Sequence, residues 1–290
     1  MPEKSLRLLT VHAHPDDEAS KGASTVARYH TEGVRSDLDF CTGGEAGDIL
    51  NPELQSPEKE ENMGEFVECV QGISEACKYL DYPVVSGNVS FYNETKDIGI
   101  KPTPTIGGVG LIKDYKKMIT MDFKEVENIV LVIGKTEGHI DQSLLSRLIL
   151  NENNGPPPEV NLFNEKNNGL TLLNLIEKNF IKSAHDVSLG GIITAISKMC
   201  IKGDKGIQIK KPKFLINEIE YFFAEDQGRY LIEINPKDFK EVSKILDKNS
   251  VHYDEIGKII DKDMIIDQKT KLTIDELKSY NTNWLKSYMV

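Results

Sequence analysis

Residues 12–18 (HAHPDDE) have the types and spacing that metal-dependent hydrolysis requires. His14 and Asp17, three positions apart, can reach one metal ion. Asp16, between them, can take a proton from a water bound to that metal. The cluster therefore predicts a metal site at which a water molecule is activated for hydrolysis.

Residues 86–90 (SGNVS) form a second polar cluster with different chemistry. Gly87 would let a phosphate approach the backbone. Asn88 offers a carbonyl oxygen of the kind that Mg²⁺ prefers, and Ser90 offers a hydroxyl to a polar substrate. Taken alone, this short string is weak evidence of a site, and a simple turn is the better interpretation.

Each cluster follows elements that could position it. Residues 6–11 are apolar and predict a strand, and 19–29 predict a helix, so the first cluster lies at the carboxyl end of a strand, the usual place for a site in an α/β fold. Residues 64–80 predict an amphipathic helix, because six apolar residues share one face: Phe66, Val67, Val70, Ile73, Cys77 and Leu80. A break at 81–83 and a buried strand from Pro83 would then lead to the second cluster.

Composition excludes several classes of protein. The 290 residues carry a net charge of −11, which argues against a nucleic-acid or membrane surface. No apolar run approaches the length of a membrane span, and no signal peptide is visible. The four cysteines contain no CxxC pair, so we expect reduced thiols and a cytoplasmic location.

The usage of basic residues changes near residue 55. Residues 1–55 hold three arginines and two lysines, whereas 56–290 hold two arginines and 28 lysines. Residues 51–62 (NPELQSPEKEEN) are polar with two prolines and predict a loop. We therefore place a boundary there, between segments of different origin.

From residue 128 onward, predicted strands and helices alternate, which favours an α/β domain. Strands are expected near 129–133, 182–187, 206–210, 228–234 and 256–260, and helices near 142–150, 170–180, 190–201 and 237–247. His185 and Asp186 could form an acid–base pair, but a helix cap by Asp186 or Ser188 is the better interpretation. We expect a structural role for residues 225–227, and we expect Trp284 to pack the C-terminal tail onto the domain.

Residues 6–52 resemble the LmbE-like zinc-dependent N-acetylglucosamine deacetylases and the related mycothiol S-conjugate amidases. The similarity rests on VHAHPDDEASKGASTVARYHTEG and CTGGEAGDILNP. It implies zinc at His14 and Asp17 and a general base at Asp16. The family's third zinc ligand, a downstream histidine in an HPDH-type motif, is missing here, so weak Zn²⁺ binding is expected.

Residues 58–290 resemble the C-terminal part of phosphoribosylformylglycinamidine synthase, the small bacterial synthetase subunit of purine biosynthesis. The matching strings occur in family order and include PEKEENMGEFVECVQGISEAC, PVVSGNVSFYNET, AHDVSLGG and FFAEDQGRYLIEI. The similarity implies an ATP contact at Gly87, Mg²⁺ at Asn88 and a contact to formylglycinamide ribonucleotide at Ser90. Leu189 stands where the family usually has an aspartate.

Together the resemblances imply an α/β chain of three parts. Residues 1–55 would be a partial Rossmann-like, deacetylase-type fragment, and 56–119 the end of an ATP-binding-type α/β domain. Residues 120–290 would be a complete C-terminal α/β domain of the aminoimidazole ribonucleotide synthetase type. The family's catalytic histidines, its phosphate-binding lysine and most of its Mg²⁺ carboxylates belong to a first half without a counterpart here.

The resulting interpretation is a fragment of an ATP-dependent ligase that makes formylglycinamidine ribonucleotide and is inactive alone. The expected cofactors are ATP and Mg²⁺, with weak Zn²⁺ at most, and the ligand is a small-molecule nucleotide. Partners would be the glutaminase and small subunits of the synthase complex, with no nucleic acid and no membrane. Two alternatives stay open: a deacetylase or amidase with an incomplete metal site, and an inert pseudoenzyme from a fusion. The boundary near residue 55 could equally come from a deletion or an assembly artefact.

Overall fold

A computed structural model describes residues 7–12, 35–40, 57–87, 94–95, 98–99, 103–210, 216–268 and 270–289. The chain divides into two compact units, Met1–Val109 and Gly110–Val290. The domain boundaries predicted at 55 and 119 stay predictions.

The first unit contains the predicted N-terminal strand. This strand, β1 (Arg7–His12), pairs in parallel with β2 (Arg35–Phe40). Helix α1 (Pro57–Leu80) follows, and β3 (Glu94–Thr95) pairs antiparallel with β4 (Ile98–Gly99).

Two predictions in this unit are wrong. Helix α1 begins at Pro57, inside the predicted loop 51–62, because proline suits a first helical turn and the acidic residues after it favour a helix N-terminus. The predicted buried strand from Pro83 is absent: Val84 and Val85 are 68% and 71% exposed. No described strand pairs with this segment, so its β-branched residues lack the hydrogen-bonded neighbour that a strand needs.

The second unit is built on a seven-stranded mixed sheet in the order β11-β10-β7-β9-β5-β8-β6. Its strands are β5 (Ile129–Ile133), β6 (Ile181–Val187), β7 (Gly206–Ile209), β8 (Arg229–Ile234), β9 (Tyr253–Ile260), β10 (Met264–Ile266) and β11 (Thr270–Leu272). Its helices are α2 (Leu162–Glu177), α3 (Gly191–Gly203), α4 (Glu218–Phe223), α5 (Phe239–Lys248) and α6 (Ile274–Tyr288). Short 3-10 turns lie at Tyr115–Lys117 and Pro236–Asp238, and a π-helix spans Ser146–Leu150.

Helices cover both faces of this sheet, which explains the uninterrupted apolar sequence of β5. On one face Val130 and Val132 pack with α3, α4 and α6. On the other face Leu131 and Ile133 pack with α2 and α5. The α/β class and the strands predicted here are confirmed.

The C-terminal helix α6 is attached differently from the prediction. Ile274 and Leu277, in its first turn, are buried in the core, whereas Trp284 is 60% exposed. Trp284 lies two turns beyond Leu277, and its ring contacts Tyr288, with 6.3 Å between the ring centroids. The prediction that Trp284 packs the tail onto the domain is therefore wrong.

Candidate functional site

Of the predicted site residues, Gly87 alone is among the described ones. It ends the exposed segment 82–87, and a Cβ added to it would meet nothing within 4 Å. His14, Asp16, Asp17, Asn88 and Ser90 lie outside the described residues. Their roles in binding zinc, Mg²⁺, ATP or substrate stay predictions.

The second unit has a cavity of about 710 Å³ at the end of β5. Its walls are the loop 134–139 after β5, the first turns of α2, the segment 226–228 before β8 and residues 250–252 before β9. These segments lie far apart in sequence, and the sheet brings them together at the ends of its strands.

Asp226 holds the loop after β5 in place. Its Oδ2 accepts hydrogen bonds from the N–H groups of Glu137 and Gly138, at 3.0 and 3.1 Å, and its Oδ1 accepts one from His139 at 3.2 Å. Gly138 has φ +91, a conformation that favours glycine and lets consecutive N–H groups point to one anion. Asp226 therefore fills a backbone anion nest that an external ligand could otherwise occupy.

Arg229, at the start of β8, connects the loop 134–139 with the segment 224–226. Its side chain is fully buried. Its Nε donates to the carbonyl of Asp226 (3.0 Å), its Nη1 to Oγ1 of Thr136 (3.0 Å) and its Nη2 to the carbonyl of Ala224 (2.7 Å). Burial lowers the pKa of Arg229, and the carboxylate of Asp226, 3.8 Å away, acts in the opposite direction.

Glu225 connects the cavity region to helix α3. Its Oε1 accepts from the N–H groups of Leu144 and Gly190, both at 2.8 Å. Gly190, with φ +80, is the N-cap of α3 and makes no side-chain cap bond. These contacts agree with a structural role for Glu225 and Asp226, as expected for the segment 225–227. The predicted cap by Asp186 or Ser188 is wrong, because no described side chain caps α3.

His185 and Asp186 do form a pair, with His185 Nδ1 3.0 Å from Asp186 Oδ1. His185 is nearly buried, and its Nε2 has no partner among the described residues. Neither residue lines the cavity.

The α2 wall of the cavity is polar. Asn161 caps the helix by accepting from the N–H of Asn164 at 3.0 Å, and the Asn168 amide donates to the carbonyl of Gly228 at 2.9 Å. Glu165 is half-buried, and burial raises its pKa, although a hydrogen bond from the Gly228 N–H acts against this.

Charges at the rim are largely paired. Lys135 Nζ lies 2.6 Å from Glu137 Oε1, which raises the pKa of Lys135. His252 Nε2 lies 3.3 Å from Asp254 Oδ2, and this hydrogen bond raises the pKa of His252. No three His, Cys, Asp or Glu side chains in the described part of the chain are arranged to hold a metal ion.

Sequence reasoning missed this cavity. The polar run at 164–168 and the glycines at 134, 138 and 228 were available signals, but nothing in the sequence placed them together. None of the helices in the described part of the chain is long and apolar enough to cross a bilayer.

Comparisons with known proteins cover most of the chain. Residues 125–268 match the C-terminal domain of AIR synthase related proteins, and 21–112 match the N-terminal domain. The second range extends across the boundary predicted near residue 55 and into the segment interpreted as deacetylase-like.

Individual relatives point the same way. The chain is 70% identical over 234 residues to phosphoribosylformylglycinamidine synthase subunit PurL of Pelagibacter ubique, which covers 81% of this chain and 32% of that protein. It is 40% identical over 244 residues to the same subunit of Bartonella henselae, covering 84% of this chain and 33% of that protein.

Among solved structures, T. maritima PurL complexed with FGAR is similar with 16% identity and a TM-score of 0.48, covering 56% of this chain and 30% of that one. The chain thus spans about a third of the length of the curated relatives it matches. The two domain matches follow one another, so residues 21–112 and 125–268 of this chain are similar to the N-terminal and C-terminal domains of AIR synthase related proteins.

Proposed function

We propose that this chain supplies part of an ATP-dependent ligase of purine biosynthesis that converts formylglycinamide ribonucleotide to formylglycinamidine ribonucleotide. The observation that carries the proposal is the 70% identity to a PurL subunit over 234 residues. The chain corresponds to 32% of that relative's length, so the remaining part must come from elsewhere for turnover.

The chemistry explains why the missing part matters. ATP phosphorylates the amide oxygen of the substrate, and ammonia then displaces phosphate to leave the amidine. Phosphoryl transfer needs Mg²⁺ and positive charge around the transferred group. In our proposal Gly87 contacts ATP, Asn88 binds Mg²⁺ and Ser90 contacts the substrate, which makes one wall of the site. The opposite wall, and the glutaminase and small subunits that would deliver ammonia, lie outside this chain.

Growth without purines tests this proposal. A bacterium that lacks its own PurL gene would express the full Pelagibacter relative as the positive control, this chain alone, or this chain together with the part of the relative that it does not match. We expect growth from the full relative and from the two-part combination, and none from this chain alone. In the combination, Asn88→Ala should reduce growth.

Two results would contradict the proposal. Growth supported by this chain alone would show that it needs no other part. Absence of growth from the combination, with both parts present in the cells as folded proteins, would show that the chain does not supply a competent part of the ligase.

A further inference from the structure

The cavity at the end of β5 has the size of a ligand site and no assigned ligand. Its volume of about 710 Å³ lies within the range of about 300–1,000 Å³ that is usual for small-molecule sites. It lies wholly within residues 134–252 of the second unit.

An anion would find little attraction there. Lys135 is paired with Glu137, and the buried Arg229 lies behind Asp226, so the described lining leaves no lysine or arginine uncommitted. The three consecutive N–H groups of residues 137–139 are occupied by Asp226. The carboxyl groups of Glu159 and Glu165 add negative charge to the lining.

Apolar and metallic ligands are also disfavoured. Apart from Pro158 and three glycines, the residues that line the cavity have polar side chains, so an apolar ligand would gain little from burial. No metal-binding cluster occurs among the described side chains.

Two carboxamides and one partly buried carboxyl group in the cavity lining have hydrogen-bonding capacity that the described residues do not use. The side chains of Asn164 and Gln227 line the cavity and make no hydrogen bond to the described residues, and each offers both a donor and an acceptor. Glu165 receives one hydrogen bond, from the N–H of Gly228, which leaves acceptor capacity on its carboxyl group. Hydroxyl groups, which also donate and accept, match this set.

We propose that this cavity binds an uncharged polyhydroxylated ligand, represented by the ribosyl group of a nucleoside, through the side chains of Asn164, Glu165 and Gln227. This inference does not rest on the ligase reaction, because it uses only contacts within the second unit.

The test titrates the full chain with three probes and follows its backbone amide signals by NMR. The probes are methyl β-D-ribofuranoside, its 5-phosphate and spermidine, which represent a neutral polyol, an anion and a cation. We expect saturable binding of the riboside with a Kd of about 1 mM, because a few hydrogen bonds would hold it in the cavity. Shifts should occur at residues 134–139 and 226–228, and the phosphate and spermidine should bind more weakly.

Variants then locate the binding. Asn164→Leu and Gln227→Leu should each weaken riboside binding about 3- to 10-fold, the loss of one or two hydrogen bonds. Asn174→Leu is the matched control, since Asn174 is an exposed asparagine of the same helix that does not line the cavity. Thermal unfolding of each variant checks that the fold is retained.

Several outcomes would overturn the proposal: tighter binding of the phosphate or of spermidine than of the riboside, no saturable binding of the riboside, or riboside affinity unchanged in folded Asn164→Leu and Gln227→Leu. An equal loss in Asn174→Leu would likewise place the binding elsewhere.

Discussion

Replacing Arg229 by methionine should destabilise the second unit strongly. Methionine has a similar length but carries no charge and no hydrogen-bond donors. The substitution removes three hydrogen bonds, to Asp226, Thr136 and Ala224, and leaves the carboxylate of Asp226 without its cation. Removing one partner of a buried ion pair typically costs about 3–5 kcal/mol.

Two effects reduce this loss. Asp226 keeps its three backbone N–H donors. A neutral methionine also avoids the cost of burying a positive charge, the cost that lowers the pKa of Arg229. We therefore expect the free energy of unfolding to fall by about 3 kcal/mol, near the lower end of that range. Since single domains are stable by about 5–15 kcal/mol, the variant should still fold.

Urea unfolding followed by far-UV circular dichroism measures the change, and Arg147→Met is the matched control. Arg147 is exposed, so its replacement should stay within about 0.5 kcal/mol of the wild type. Arg229→Lys should also be destabilised, because one ammonium group cannot donate in the three directions of the guanidinium. If Arg229→Met were as stable as Arg147→Met, the hydrogen bonds of Arg229 would not stabilise the connection between the loop 134–139 and the segment 224–226.

Three further predictions concern the second unit and the segment that precedes it. Glu165→Gln should raise the unfolding midpoint at about pH 8 and leave it unchanged at about pH 3. The pKa of Glu165 is raised in the folded state, so ionisation of this carboxyl group costs stability once the pH rises above its ordinary pKa of 4.5. An equal gain at both pH values would contradict this explanation. Leu277→Ala should cost about 2–5 kcal/mol in urea unfolding, and Trp284→Ala less than about 1 kcal/mol, and the reverse order would show that Trp284 anchors the tail. Limited proteolysis should cut within 103–112, because this segment is exposed and contains no helix or strand. The resistant product should include β5 to α6. First cuts inside β5 or β8 would contradict the division into two units.

The sequence predicts the strands and helices of the second unit well where a local pattern decides them. Strand β5 is a continuous apolar run bounded by polar residues, and α3 carries a clear apolar face from Ile192 to Cys200. Helices α4 and α6 were missed, although each begins with a capping box, Asn217 with Glu220 and Thr273 with Glu276, that a search for helix starts could have found.

The cavity could not be predicted in the same way. Asp226 and His252 precede β8 and β9, and the antiparallel pairing of these strands with β5 brings both residues to the end of β5, whereas Asn164 comes from the first turn of α2. The segment after Pro83 shows the opposite error. Its valines favour a strand locally, but strand formation depends on a hydrogen-bonded neighbour that a local pattern does not reveal.

The most direct test of the central claim is formation of formylglycinamidine ribonucleotide by purified proteins. The assay would contain formylglycinamide ribonucleotide, ATP, Mg²⁺ and ammonium, with this chain alone or with the separately purified part of the Pelagibacter relative that it does not match. We predict no product from this chain alone and product from the two proteins together, reduced by Asn88→Ala in this chain. Product from this chain alone, or none from the two folded proteins together, would contradict the proposal that the chain supplies one part of this ligase.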